Sequence, residues 1–450
     1  MLQIKRDCQM QTQRRTLPTS GTLLITAFLI FAPYAEAKKP KLTTLHSFQV
    51  GTNDGYEPQA GVVIGENGVL YGTTLGEGTN GAGAVYSLTP PASPGGQWTE
   101  TTLYTFQGGS DGANPYQGVV IGSGGVLYGT TPFGGSAACG SGCGIVFSLT
   151  PPASPGDQWT ETVLYRFQGG PSDGNYPGGG LAIGKGGVLY GTTEEGGTGL
   201  CTAETPGCGT VFSLTPPASP GLPWTETVLH SFTTGGDGLY PVAWLVIGKD
   251  GVLYGTTANG GAADGNSCGT VFELAPPRGR RSTWTETILH SFGTTTGDGC
   301  DPEYGGLVMS DAGVLSGTTH EGGTEGGLGA VFSLTPPASP GSPWTEAVYA
   351  FNGTGGEYPW GNVAIGKGDV LYGTTWKGGT GNYGVVFSLT PSPDGGWTET
   401  VLHSFRGTGG AYPWAGVVVG KGGVLYGTTY GGGTGACGIP GCGTVFSLNP

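Results

Sequence analysis

The chain has 450 residues, of which 95 are glycine and 33 proline; only 11% are charged, and the formal net charge is −14. Such a composition without internal order reads as low-complexity sequence, but a fixed period along this chain excludes that reading. Its acidity excludes nucleic acid and anionic lipid surfaces as partners, since both would be repelled.

Residues 1–37 read as a signal peptide. A basic start (Lys5, Arg6, Arg14, Arg15) precedes the apolar run from Leu23 to Pro33 and then Ala35-Glu36-Ala37, a small-x-small cleavage pattern that places the cut after Ala37. The apolar run is too short to span a bilayer comfortably, and no later segment is apolar enough. The expected mature chain therefore has no integral membrane segment and is secreted or periplasmic. Its 13 Lys and Arg stand against 29 Asp and Glu, a formal charge of −16. Its one basic cluster, Arg278, Arg280 and Arg281, reads as a solvated loop tip.

From residue 38 onward one phrase recurs seven times: V-L-Y-G-T-T, a glycine-rich gap, then G-x-V-F-S-L. The copies begin at Leu70, Leu127, Leu189, Leu253, Leu315, Leu371 and Leu425, with spacings of 54 to 64 residues. A period of that size marks a repeat architecture. Each unit holds four strand-length segments rich in Val, Leu, Tyr, Phe and Thr and bounded by Gly or Pro. In the third unit these are Leu181 to Gly184, Val188 to Thr193, Thr210 to Leu214 and Trp224 to Phe232. No sustained helical period appears after the signal peptide. Seven four-stranded antiparallel units predict an all-β, seven-bladed β-propeller.

The ends of the chain support closure. Six copies of the outer strand carry W-T-E, at Trp98, Trp159, Trp224, Trp284, Trp344 and Trp397, and none follows the last V-F-S-L. The seventh outer strand sits at the other end, where Lys41 to Phe48 matches Thr398 to Phe405. An N-terminal strand that completes the last blade closes the ring and leaves no exposed sheet edge. The domain expected is a single propeller over residues 38–450, and a monomer.

The strings V-L-Y-G-T-T, G-T-V-F-S-L, W-T-E-T-V-L-H-S-F and G-x-D-G-x-x-P resemble the bacterial Gloeo-Verruco tandem repeat of exported proteins, across essentially the whole mature chain. The resemblance implies an exported repeat protein and no particular activity. Such proteins often carry a surface-anchoring tail beside their repeats; the last residues here read as blade strand, a departure that puts attachment to the cell surface in doubt.

Eight cysteines follow the signal peptide. Cys139/Cys143, Cys201/Cys208 and Cys437/Cys442 form close pairs in the same gap of their repeats, and Cys268 in that gap leaves Cys300 as its mate. Four disulfides suit an oxidising destination. Zinc is the alternative, but the C-x2-C knuckles and accompanying histidines of zinc sites are missing.

Candidate chemistry is sparse. The expected inner strands, Gly61 to Gly65, Gly118 to Gly122, Gly180 to Gly184, Trp244 to Gly248, Gly306 to Ser310, Asn362 to Gly366 and Gly416 to Gly420, offer no ring of acid–base groups. His46, His230, His290 and His403 share one outer-strand position with Tyr104, Tyr165 and Tyr349, which points to packing. The W-T-E glutamates recur as regularly and also read as structural. Asp54, Asp111, Asp173, Asp237 and Asp298 of the D-G-x-x-P loops read as turn residues; calcium wants more oxygen ligands than one dependable carboxylate per loop.

The residues after G-T-T differ in every repeat. They supply the candidate binding residues Phe133, Glu194, Glu195, His320, Glu321, Trp376, Lys377 and Tyr430, on the face that also holds the disulfides. Tyr56, Tyr116, Tyr176, Tyr240, Tyr358, Trp360, Tyr412 and Trp414 lie around it, and the repeated tyrosines among them read as packing between blades. The leading expectation is a non-enzymatic exported scaffold that binds a carbohydrate or an extracellular or envelope protein, with no cofactor and no metal. Two alternatives stay open: a glycan-cleaving enzyme using Glu194, Glu195, His320 and Glu321, and a structural envelope protein without a ligand.

Overall fold

The computed structural model describes residues 39–450 except 52–53, 77–80, 94, 155, 200, 202–206, 220, 235, 262–267, 280–282, 324–325, 340, 394 and 438–440. The expected signal peptide and the loop residues Arg280 and Arg281 lie outside the described residues. Arg278 pairs with Asp250 at 3.0 Å, both largely exposed.

Each repeat forms four antiparallel strands in the order inner, second, third, outer. Blade 1 comprises Val63–Ile64, Leu70–Thr74, Ala84–Thr89 and Thr99–Thr105; blade 3 comprises Ala182–Ile183, Leu189–Thr193, Thr210–Thr215 and Thr225–Ser231. Blades 2, 4, 5 and 6 repeat the pattern with inner strands Val120–Ile121, Val246–Ile247, Val308–Met309 and Ala364–Ile365. The ring is a seven-bladed β-propeller, as the periodicity predicts. The inner strands are shorter than predicted, two residues each, and the glycine that follows most of them, such as Gly65, donates to the residue just before the second strand, Val69.

Blade faces pack on blade faces, which dictates which residues are apolar. The third strand is buried on both sides, as in Ile145–Thr150 and Thr210–Thr215, so it reads as continuous V-F-S-L rather than as alternation. Its Phe needs room. A Cβ on Gly129 of Y-G-T-T would lie 2.6 Å from Phe147 Cζ, so only glycine fits there. The Phe that ends each outer strand meets the next blade's third-strand ring edge-to-face, as in Phe106–Phe147 at 5.1 Å and Phe232–Phe272 at 5.2 Å.

Closure uses the same contacts. Lys41–Ser47 pairs antiparallel with Thr444–Asn449, completing blade 7 beside Leu425–Thr429 and Val418–Val419. Phe48 then packs on Tyr86 of blade 1 at 5.1 Å, both buried. The first Thr of each G-T-T donates its hydroxyl to a carbonyl of the next blade's entry segment. Examples are Thr73 to Gln117, Thr192 to Ala243 and, across the seam, Thr428 to Ala60 at 2.8 Å.

The outer rim carries a second repeated tie. The Tyr71 ring of blade 1 meets Trp159 of blade 2 at 6.1 Å, and four further pairs follow the same rule. Blade 5 breaks it: Ser316 replaces tyrosine and bonds Ser333 instead. The D-G-x-x-P aspartates fasten turns. Asp111 accepts from Tyr104 Oη at 3.0 Å and from the Gln107 amide at 2.9 Å, and His46 takes the tyrosine's place beside Asp54. The W-T-E glutamates lie next to these aspartates. Burial first, then the Asp charge, pushes Glu161 and Glu226 up to about 7. Burial and Asp237 do the same to Glu286.

Candidate binding site at the channel mouth

On the loop face, the D-G-x-x-P segment of every blade pairs with the segment after G-T-T. Two-stranded ladders do this in blades 3 to 5, such as Gly174–Asn175 with Glu195–Gly196, and single bridges do it in the others, such as Ala113 with Phe133 and Glu357 with Lys377. The residue before each proline is left-handed: Glu57, Asn114, Tyr176, Tyr240, Asp301, Tyr358 and Tyr412 have φ between 56° and 64°. That conformation costs a non-glycine residue on the order of 1–2 kcal/mol. It persists because the amide of each residue donates to the preceding blade and, in all but Asn114, whose partner position is Pro132, the carbonyl accepts from the residue after G-T-T. The Tyr176 amide donates to Cys143 O of the preceding blade, while Tyr176 O accepts from the Glu194 amide. Asp301 does the same between Cys268 and His320.

The disulfides hold this ring. Cys139–Cys143, Cys201–Cys208, Cys268–Cys300 and Cys437–Cys442 are bonded. In each case the carbonyl of Cys143, Cys208, Cys268 or Cys442 receives the amide of the next blade's left-handed residue. Cys268–Cys300 differs in crossing from blade 4 to the segment that carries Asp301 and Glu303.

The ring surrounds a cavity of about 580 Å³ that enters the central channel. Its mouth is formed by the residues after the prolines, including Gln59, Tyr116, Trp360 and Trp414; blade 5 has one residue more than the others here and places Tyr304 in the lining. Trp244 is the single large residue at the head of an inner strand. Its indole donates to Gln117 Oε1 of blade 2 at 2.6 Å and lies over Gly180, where a Cβ would fall 2.4 Å from the ring. Glycine at 180 is thus what admits the indole.

Two unlike groups of side chains lie about this mouth, reaching its lining through Trp360 and Trp414 in one and Tyr116 and Tyr304 in the other. One is aromatic, from blades 5 to 7: Trp360 lies 5.1 Å from Trp414 and 4.1 Å from His320, and Trp376 lies within 6.5 Å of Tyr358, Trp360, Tyr412 and Trp414. Tyr430 packs on Trp414 at 5.4 Å. Lys377 Nζ lies 4.2 Å over the Trp376 ring, a cation–π contact. The indole nitrogens of Trp360 and Trp414, His320 Nε2 and Gln59 Oε1 are buried without a hydrogen-bond partner.

The other group is acidic, from blades 3 and 5. Burial, then the Glu195 charge, pushes Glu194 up to about 7. Burial, then Asp301, Glu194 and Glu321, pushes Glu303 up to about 7. Asp301 rises to about 6 through burial and Glu321. The rings of Tyr116, Tyr176 and Tyr304 border these carboxyls; burial and then Glu303 and Glu194 hold the Tyr304 hydroxyl well above its ordinary range. His320 moves the opposite way, down to about 4 through burial and Lys377, and is neutral at physiological pH.

The residues picked out in the sequence fall into these groups unequally. Trp376, Tyr430, His320 and Lys377 belong to the aromatic group, and Glu194 to the acidic one. Phe133 is half-buried between Tyr116 and Tyr176, at 6.0 and 5.2 Å. Glu195 accepts from Asn175 Nδ2 at 2.7 Å, and Glu321 is exposed. Sequence reasoning did not single out Asp301, Glu303, Gln59, Gln117 or Trp244. For Gln59 and Glu303 the signal was available: the position after the D-G-x-x-P proline reads Gln, Tyr, Gly, Val, Glu, Trp and Trp in the seven repeats, nearly as varied as the position after G-T-T.

Fold and site together define a disulfide-bonded repeat β-propeller with a ligand-sized cavity at its loop face. The chain matches the Gloeobacter/Verrucomicrobia repeat over residues 34–219, 141–342 and 304–450, and it belongs to that family. No curated protein sequence matches it. Among solved structures it is similar to a candidate 6-phosphogluconolactonase from Bacteroides fragilis NCTC 9343, with 13% identity, 84% of this chain and 97% of that chain covered, and a TM-score of 0.52. A second, from Bacteroides uniformis ATCC 8492, has 13% identity, coverage of 81% and 88%, and a TM-score of 0.49. At such identity the first likeness is one of fold alone, and the second carries no argument.

Proposed function

We propose that the protein is an exported, non-enzymatic scaffold that binds a carbohydrate at the mouth of its channel. The observation that carries this reading is the aromatic cluster of Trp360, Trp376 and Trp414 beside a cavity lined by Trp360 and Trp414, joined through the Tyr304–Trp360 stack to a group of carboxyls. Sugars present apolar C–H faces that stack on indole rings and hydroxyls that carboxyls and amides bind, and preformed concave sites of several hundred Å³ are where such ligands sit. The left-handed ring and the disulfides keep this surface rigid, so little ordering entropy is lost on binding. The signal-peptide pattern and four disulfides support a secreted or periplasmic location.

A glycan panel tests the reading. Binding by the wild type that is lost in Trp360→Ala/Trp414→Ala, with an unchanged melting profile, is the expected outcome. Unchanged binding by that variant, or no glycan bound at all, rejects it, and the latter returns the ligand-free structural role.

One observation favours a second reading, glycan cleavage. Glu194 and Glu303 come from different blades, and burial raises both to about 7, where one can stay protonated as an acid while the other is ionised as a base. Release of reducing ends by the wild type, abolished by Glu194→Gln, would establish that reading.

A further inference from the structure

The ring positions of the mouth leave one gap, and it lies above blade 4. Where blade 3 places Glu194 and blade 5 places His320, blade 4 has Ala258; where blade 5 places Glu303, blade 4 has Val242 and blade 3 has Gly178. Small residues thus occupy the intervening blade, and the Glu194 charge of blade 3 reaches both Glu303 and Tyr304 of blade 5. Among the described residues no Lys, Arg or His pairs with Glu194, Asp301 or Glu303; the ion pairs found are all elsewhere. Lys377, the cation of this face, is committed to the Trp376 ring. Half-buried like charges without a counter-charge are costly to hold together, and a cation entering between them removes that cost. Aromatic rings border the gap on both sides, Tyr176 toward blade 3 and Trp360 beyond Tyr304, whose rings stack at 5.5 Å. Ring faces next to carboxyls favour an ammonium group twice over. Anionic sugars are excluded by the same charges.

We propose that the ligand is a saccharide carrying a protonated primary amine, with a sugar face against Trp360 and Trp414 and its ammonium group between Glu194 and Glu303. This rests on the carbohydrate reading above. The test is titration calorimetry at physiological ionic strength with three oligosaccharides of equal length: a β-1,4-glucosamine hexasaccharide, its N-acetylated form and cellohexaose. The expected result is that the free amine binds about tenfold or more tighter than the other two, as a charge-assisted contact implies. Glu194→Gln/Glu303→Gln should abolish that advantage while keeping the weaker neutral binding, and Trp360→Ala/Trp414→Ala should abolish all three. Each variant is checked for an unchanged melting profile, and the single Glu303→Gln replaces the double variant if the latter does not fold. Equal affinity for the three sugars overturns the amine while leaving the carbohydrate reading standing. No binding of any of them overturns both. Oligolysine bound as tightly as the glucosamine chain, and indifferent to loss of Trp360 and Trp414, overturns the saccharide in favour of a basic peptide.

Discussion

Replacing Thr428 by Val tests closure of the ring, whose non-covalent seam lies within blade 7 between Lys41–Ser47 and Thr444–Asn449. Thr428 is fully buried and donates to Ala60 O at 2.8 Å across the junction of blades 7 and 1. Valine keeps the β-branched shape but cannot donate, so a buried carbonyl is left unsatisfied at a cost of about 1–3 kcal/mol. Thr192→Val removes the equivalent bond, to Ala243 O, between blades 3 and 4, each built from one uninterrupted stretch of chain where blade 7 is built from both chain ends. If the seam is as well formed as an internal junction, the two substitutions cost the same. For a unit of Pro40–Pro450, the unfolding entropy at roughly 2 cal/mol/K per residue converts 2 kcal/mol into a fall in Tm of about 2 °C. Differential scanning calorimetry of the two variants side by side resolves that shift. A clear fall for Thr192→Val with none for Thr428→Val would refute closure by the N-terminal strand.

Rim titration gives a pH dependence. Glu161, Glu226 and Glu286 have folded values near 7 against an ordinary 4.5. Their contribution is therefore fully present below about pH 4.5 and is lost as pH rises through 7. Tm should be higher at pH 5 than at pH 8, and Glu161→Gln/Glu226→Gln/Glu286→Gln should flatten the profile; an unchanged slope rejects the assignment. Ser316→Tyr should restore the missing ring partner of Trp397 and raise stability by roughly 1 kcal/mol in denaturant titration, less the lost Ser333 bond; a destabilised variant shows that blade 5 is packed for serine. Reduction of the disulfides should lower stability by about 2 kcal/mol per short loop and leave the β-sheet signal of circular dichroism intact. Collapse of that signal would mean that the bonds hold the blades and not only the loop face.

Fold was legible in the sequence because it is written seven times. Third-strand V-F-S-L, second-strand Y-G-T-T and the W-T-E rim each repeat with one physical job, and the displaced outer strand at Lys41 to Ser47 reveals the seam. The mouth was legible only in part. Trp376 and Tyr430 stood out because nothing repeats them, whereas Asp301 lay within the D-G-x-x-P motif and Glu303 directly after it, where regular letters drew attention from the variable ones. Convergence of Glu194 on Glu303, 109 positions apart in the chain, depends on what blade 4 lacks, and a small residue gives no signal until its neighbours are placed. The Trp244–Gln117 bond spans the channel between blades 2 and 4, a pairing that no local pattern specifies.

A crystal structure of the protein soaked with the tightest-binding oligosaccharide tests the central claim most directly. The account predicts sugar density at the channel mouth, in contact with Trp360 and Trp414 and within hydrogen-bonding distance of Glu194 or Glu303. Density at the turns that join third to outer strands, or along the blade rims, with the mouth unchanged, would contradict it.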